Sequence, residues 1–151
     1  MHNHLATINI IYEAFEKGDI PTILNHLSDD VQWEQWADNS SQNAGVPWMQ
    51  AREGKDGAAE FFRIVGEFDI REFKILSIMG NDKQVAVEFV IEAYIPSTAG
   101  HFRDEEMHLW TFDEQGKVIR LRHYTDTAKH IGAAKKDNIG KATSSSLQEA
   151  N

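Results

Sequence analysis

The chain has 151 residues, 41% of them apolar, a formal net charge of -9 and no cysteine. That length supports one domain with a real core, and the acidic balance, with no basic cluster, disfavours nucleic acid and anionic lipid as partners. Without cysteine there are no disulfides, thiolate nucleophiles or cysteine-ligated metals; with no apolar run long enough for a bilayer and neither a basic n-region nor an apolar h-region at the start, a soluble, cytoplasmic protein is expected.

Leu5, Ile8, Ile11, Tyr12 and Phe15 share one helical face, and Gly18 closes that helix. Asp19 is placed to cap a second helix, with Pro21 in its first turn and Ile23, Leu24 and Leu27 on its apolar side. Alternation over residues 31–36 predicts a short strand, followed over residues 37–52 by a polar loop that carries Gly45, Pro47 and an unusual Trp48. Within residues 56–68, Ala58, Phe61, Phe62 and Val65 mark a third helix. Four strands are then predicted over residues 73–79, 84–95, 101–112 and 117–127, separated by Gly, Asn, Asp and Pro turn signals. Val85, Val87, Phe89, Ile91 and Ala93 alternate with polar positions, so one sheet face meets a core. Helices first and strands last give an α+β class. A short helix over residues 128–134 ends a single domain near residue 135, and residues 136–151, rich in Ser, Ala and charge, predict a flexible tail.

The last two strands carry the chemistry. Alternation puts His108, Trp110 and Phe112 on one face of the first, and Arg120, Arg122, Tyr124 and Asp126 on one face of the second. If both faces line one cavity, it holds an imidazole and a carboxylate among aromatics. Asp126 reads equally as a base and as the N-cap of the terminal helix. His108 reads as a pocket residue or a hydrogen-bonded packing residue. Trp33, Trp36, Trp48 and Trp110 could cage a flat or aliphatic ligand, with Trp48 as a lid, or simply fill a small core. Arg122 could hold a carboxylate or pair across the sheet with Glu92 or Glu105. Glu34, opposite Trp33 and Gln35 in the alternation, is expected to point outward. His2 and His4 have no third ligand nearby, and His101, His123 and His130 lack a shared metal spacing, so no metal is expected.

The helical hairpin ending in Ala14-Phe15-Glu16-Lys17-Gly18-Asp19, the entry Leu27-Ser28-Asp29-Asp30-Val31-Gln32-Trp33, the Gly54-Lys55-Asp56-Gly57 turn, and Leu109-Trp110-Thr111-Phe112 followed by Arg120-Leu121-Arg122-His123-Tyr124-Thr125-Asp126-Thr127 together resemble the SnoaL-like branch of the nuclear-transport-factor-2-like superfamily. The resemblance spans roughly residues 5–134. It implies a cone-shaped α+β barrel: three N-terminal helices on a curved mixed, mainly antiparallel sheet that encloses a largely apolar pocket, commonly in a homodimer formed through the outer sheet face.

Members of that superfamily include polyketide cyclases, ketosteroid isomerases and limonene epoxide hydrolases, so the residues must decide. The isomerase's base position falls on Gln35, an amide, and its two oxyanion-donor positions fall on Ile11 and His108. The hydrolase's water-activating Asp falls on Asp126, but Phe89-Val90-Ile91-Glu92-Ala93 stands where its Arg-x-Asp pair is needed, and Trp33 and Gln35 replace its water-orienting Tyr and Asn. The cyclases are most similar, since they place an acid/base Asp near the end of the last strand and a His on its neighbour, which here are Asp126 and His108. The leading expectation is therefore cofactor-free acid–base chemistry, an isomerase or cyclase, on a small hydrophobic carbonyl compound. Asp126 and His108 would be catalytic, and Trp33, Gln35, Trp48, Trp110, Arg122 and Tyr124 would bind substrate. The alternative is a non-catalytic dimer that binds a small hydrophobic ligand; an epoxide hydrolase and an assembly scaffold rank below it.

Overall fold

The computed structural model describes residues 2–135, so the expected tail over residues 136–151 lies outside the described residues. Helix α1, His4–Glu16, starts where the Asn3 side chain accepts from the Ala6 N–H and stops before Gly18, whose φ of 68° suits glycine. It buries Ile8, Ile11, Tyr12 and Ala14, while Leu5 turns outward. Helix α2, Ile20–Asn25, is capped by Asp19, which accepts from both the N–H and the hydroxyl of Thr22.

Strand β1, Leu27–Trp33, begins earlier than its pattern suggests and ends where Glu34 takes a left-handed φ of 59°. The expected loop contains a short helix α3, Ser40–Asn43, a 3₁₀ turn, Pro47–Met49, and a two-residue strand β2, Arg52–Glu53. Helix α4, Gly54–Val65, buries Ala58, Phe61, Phe62 and Val65 as the sequence predicts. Strands β3, Asp69–Gly80, β4, Gln84–Ile95, β5, Gly100–Phe112, and β6, Val118–Tyr124, follow, then helix α5, Thr127–Ala134.

The six strands make one sheet in the order β2-β1-β6-β5-β4-β3. Neighbours are antiparallel except β1 and β6, whose parallel pairing makes the sheet mixed. The register sets Val87 opposite His108 and His108 opposite His123, so these side chains share one face. The core lies between that face and α1, α2 and α4. No helix among the described residues is long and apolar enough to cross a membrane.

Helix α5 is seated on the start of β5. The backbone N–H of Asp126 donates to Asp104, the Thr98 hydroxyl donates to the Ala133 carbonyl, and Gly100 leaves that carbonyl room. A Cβ at Gly100 would stand 2.0 Å from the Ala133 oxygen. Gly100→Ala is therefore expected to destabilise the fold by about 1–3 kcal/mol or more through overpacking, read as a lower urea midpoint.

Candidate active site

The inner sheet face and the helices enclose a cavity of about 60 Å³, almost wholly apolar, with Trp33, Phe89 and Trp110 among its walls. Its titratable groups come from Tyr12 and from four residues on two strands and one helix: Glu106, His108, His123 and His130. They form two hydrogen-bonded chains of opposite sense.

The first chain is centred on Glu106. Its carboxylate takes His123 Nε2 on one oxygen and His130 Nε2 on the other, both at 2.5 Å. The burial of Glu106 would raise its pKa, but the two imidazoles outweigh that and hold it well below the usual carboxylate range. On the far side, the Trp48 indole N–H donates to His130 Nδ1 at 2.9 Å. Nδ1 therefore carries no proton and Nε2 does, which makes His130 a neutral donor to Glu106. Burial lowers the proton affinity of His130, the carboxylates of Asp104 and Glu106 raise it, and the Trp48 N–H on Nδ1 opposes the second proton. Taking that proton would cost the Trp48 bond, and in the geometry observed the Trp48 bond fixes the neutral ring. His123 likewise donates through Nε2 to Glu106, and in the neutral form of the ring Nδ1 is left as an acceptor.

The second chain runs the other way. The Trp110 N–H donates to the Tyr12 hydroxyl at 3.1 Å, and that hydroxyl donates to His108 Nδ1 at 2.6 Å. Burial holds the Tyr12 pKa well above its ordinary value, against the Trp110 N–H, so the phenol keeps its proton. Burial and the neighbouring His123 hold His108 well below the ordinary imidazole range. His108 is thus neutral, with its proton on Nε2. The His108 and His123 rings lie 4.5 Å apart between centroids. One ends a chain as a donor and the other ends a chain as an acceptor.

Asp104, Glu106 and His130 bring possible ligand atoms within 4.8 Å of one another. They do not fit a cation as arranged. A metal on His130 Nε2, with Nδ1 still accepting from Trp48, would require the fully deprotonated imidazolate.

Of the expected site residues, His108, Trp33, Trp48 and Trp110 do line the cavity. Trp48 is a pinned wall, buried and bonded to His130. Asp126, Arg122, Tyr124 and Gln35 are not among the cavity walls. Asp126 is exposed at the N-cap of α5. The Arg122 Nε–H donates to the Gln35 carbonyl, and its guanidinium lies over the Trp36 ring, which meets Tyr124 edge-on. The Gln35 amide donates to the Arg52 carbonyl. The inward residues of β6 are Leu121 and His123; the opposite parity would bury two arginines and expose a leucine. On α1 it is Tyr12, one position beyond Ile11, that reaches His108.

Glu34 is also a correction. Its left-handed backbone breaks the alternation and buries the side chain to 1% exposure. The Glu34 Oε2 accepts from the Trp36 indole N–H at 3.3 Å, and Oε1 is buried with no partner among the described residues. Sequence reasoning also missed Glu106, although the β5 alternation that selects His108 selects Glu106 and Asp104 with it.

Residues 10–121 match the SnoaL-like domain family. The chain belongs to that family. No curated protein matches. Among solved structures, this SnoaL-like domain is similar to an NTF2-like protein of unknown function from Burkholderia pseudomallei at 21% identity, covering 89% of this chain and 99% of that one, with a TM-score of 0.74. It is similar to an isomerase, proposed as such, from Rhodopseudomonas palustris at 17% identity, covering 89% and 97%, TM-score 0.67. It is also similar to a protein proposed as a polyketide cyclase from Xanthomonas campestris pv. campestris at 16% identity, covering 87% and 96%, TM-score 0.65. These likenesses show the fold, a SnoaL-like α+β cone.

Proposed function

We propose that this SnoaL-like domain moves a proton on a small, mostly apolar carbonyl compound using only its own side chains. The carrying observation is the juxtaposition of two imidazoles, ring centroids 4.5 Å apart, in an apolar cavity, one held at Nδ1 by Tyr12 and the other at Nε2 by Glu106. His123 Nδ1 takes the proton from the carbon beside the carbonyl, and the electron pair of that C–H bond passes into an enolate. The enolate oxygen accepts from His108 Nε2–H, whose ring is oriented through Tyr12 and Trp110. A neutral imidazole suits the donor role, because it stabilises the oxyanion without having first been charged in a dry site. Glu106, held by both His123 and His130, fixes the tautomer of His123 and stabilises the imidazolium that forms. Returning the proton to another carbon gives isomerisation; attack of the enolate carbon on a second carbonyl of the same molecule breaks that C=O π bond, and the resulting alkoxide takes the proton back from His123, giving ring closure. The Trp33 N–H, buried with no partner among the described residues, is a further unspent donor in the cavity walls.

The test needs no natural substrate. 2-Acetonaphthone in deuterium oxide exchanges its methyl protons through the enolate, and proton NMR follows the loss. The protein is expected to speed this exchange, and His123→Ala and His108→Ala are each expected to lower the protein's contribution by about 10²-fold. Exchange no faster than in buffer would overturn the proposal in favour of a ligand-binding protein. Exchange lost in Asp126→Asn but kept in His123→Ala would return the base to Asp126.

A further inference from the structure

The cavity is too small for the substrate class it would serve. A volume of about 60 Å³ is less than half that of an apolar cavity of ~150 Å³ that takes up benzene. A ring-sized ligand can enter only where a wall gives way, and the walls differ in how firmly they are held.

An open groove of about 660 Å³ lies where the last turn of α1, the end of α4 and the start of β3 meet. It shares five residues with the inner cavity: Phe15, Phe62, Val65, Phe68 and Phe73. All five are apolar, and Phe15, Phe68 and Phe73 remain partly exposed. The Phe15 ring lies 6.2 Å from Phe62 and 5.8 Å from Phe73 between centroids, tilted to both, with no polar bond among these rings to hold them closed. A second cleft, of about 100 Å³ beside Pro96 and Ala134, is separated from the cavity by Trp48 and Phe68. There the indole is pinned by His130. The phenylalanine partition is the weaker wall.

From that partition a run of rings leads to the imidazoles. Phe73 stacks with Phe89 at 4.8 Å, and Phe89 meets His108 at 4.4 Å. At the outer end, Arg71 is engaged by Asp69 and lies over Tyr94, and Glu72 is paired with Arg103, so the rim carries balanced charge.

We infer that Phe15, Phe62, Phe68 and Phe73 form a gate, and that the groove outside it is the outer half of one ligand site for an elongated, flat carbonyl compound of two or three rings. Such a compound places its carbonyl at His108, its apolar body along Phe73 and Phe89, and its far end in the groove. This rests on the proton-transfer reading for the carbonyl and for which end enters first, while the gate and the groove stand on the geometry.

The probe is 2-acetonaphthone, with binding followed by stopped-flow tryptophan fluorescence and by amide shifts in NMR. Phe15→Ala widens the gate at a partly exposed position, and Phe15→Leu is the milder variant if alanine unfolds the chain. Association is expected to speed up about tenfold in either and to slow by a similar factor in Phe15→Trp. Amide shifts are expected both at His108 and His123 and at Gly66 and Arg71. The inference is overturned if the probe fails to bind up to its solubility limit, or if Phe15 variants leave association unchanged while Trp48→Phe speeds it. Binding gated by Phe15 without any deuterium exchange would keep the gate and remove the chemistry, so the two readings fail separately.

Discussion

Glu106→Ala is expected to cost about 3–5 kcal/mol, because it leaves the Nε2–H groups of His123 and His130 buried without the carboxylate that both donate to. Urea unfolding near neutral pH reads this loss. Glu106→Gln separates stability from chemistry. The two imidazoles sit on different carboxylate oxygens, and an amide replaces one of those oxygens by a donor nitrogen, so in this geometry it accepts from only one imidazole. His130 cannot change tautomer while the Trp48 N–H occupies its Nδ1, so it keeps the amide oxygen. His123 must then turn its Nε2 into an acceptor and carry its proton on Nδ1. The base facing the carbonyl becomes a donor. Glu106→Gln should therefore stay folded, show a protonated His123 Nδ1 by ¹⁵N NMR, and lose about 10²-fold or more of the deuterium exchange. Retained exchange in this variant would show that His123 is not the base. The pH dependence follows from the same carboxylate. Its pKa in the folded chain lies well below the ordinary range, so its stabilisation is present above that range and is lost as pH falls through the lowered value.

Half of the expected site residues line the cavity, His108, Trp33, Trp48 and Trp110, and the failures elsewhere have identifiable causes. On β5 burial alternates with a period of two from Phe102 to Glu106, and His108 and Trp110 continue that parity into the cavity walls, so the alternation that selects His108 also places Asp104 and Glu106 inside. On β6 the apolar Leu121 decides the parity; giving the arginines and Asp126 the inner face ignores the cost of burying guanidinium groups beside an apolar alternative. Asp126 has the position of an N-cap and uses its backbone N–H to dock α5 on Asp104. The contribution of His130 is beyond local pattern. It comes from a terminal helix, and its partners Trp48 and Glu106 lie 82 and 24 residues away. Trp48 was recognisable as a misfit in a polar loop, although only the fold shows that a side-chain bond pins it.

Glu34 is the position where the sequence pattern fails for a single backbone reason, and it gives the second large effect. One left-handed residue at the end of β1 turns a side chain read as solvent-facing into the interior. Burial pushes its pKa up to about 7 from an ordinary 4.5, although His123 and the Trp36 N–H act to lower it and Glu106 adds to the rise. The folded chain thus holds this proton up to about pH 7, while the unfolded chain releases it near 4.5. Its contribution is fully present below the unfolded value and is lost as pH rises through the folded one, a span of about 3 kcal/mol at ~1.36 kcal/mol per pH unit. Glu34→Gln cannot ionise, so its stability relative to the parent should rise across that interval. The two chains should be close near the ordinary glutamate value, and the variant should be more stable by a few kcal/mol once the parent carboxyl is ionised. Urea midpoints taken at several pH values measure the difference directly, and a difference that stays flat with pH would show that Glu34 does not titrate there. Glu34→Gly serves as the backbone control: it removes the same carboxyl and relieves the left-handed strain, so it should show the same pH slope on top of a constant offset.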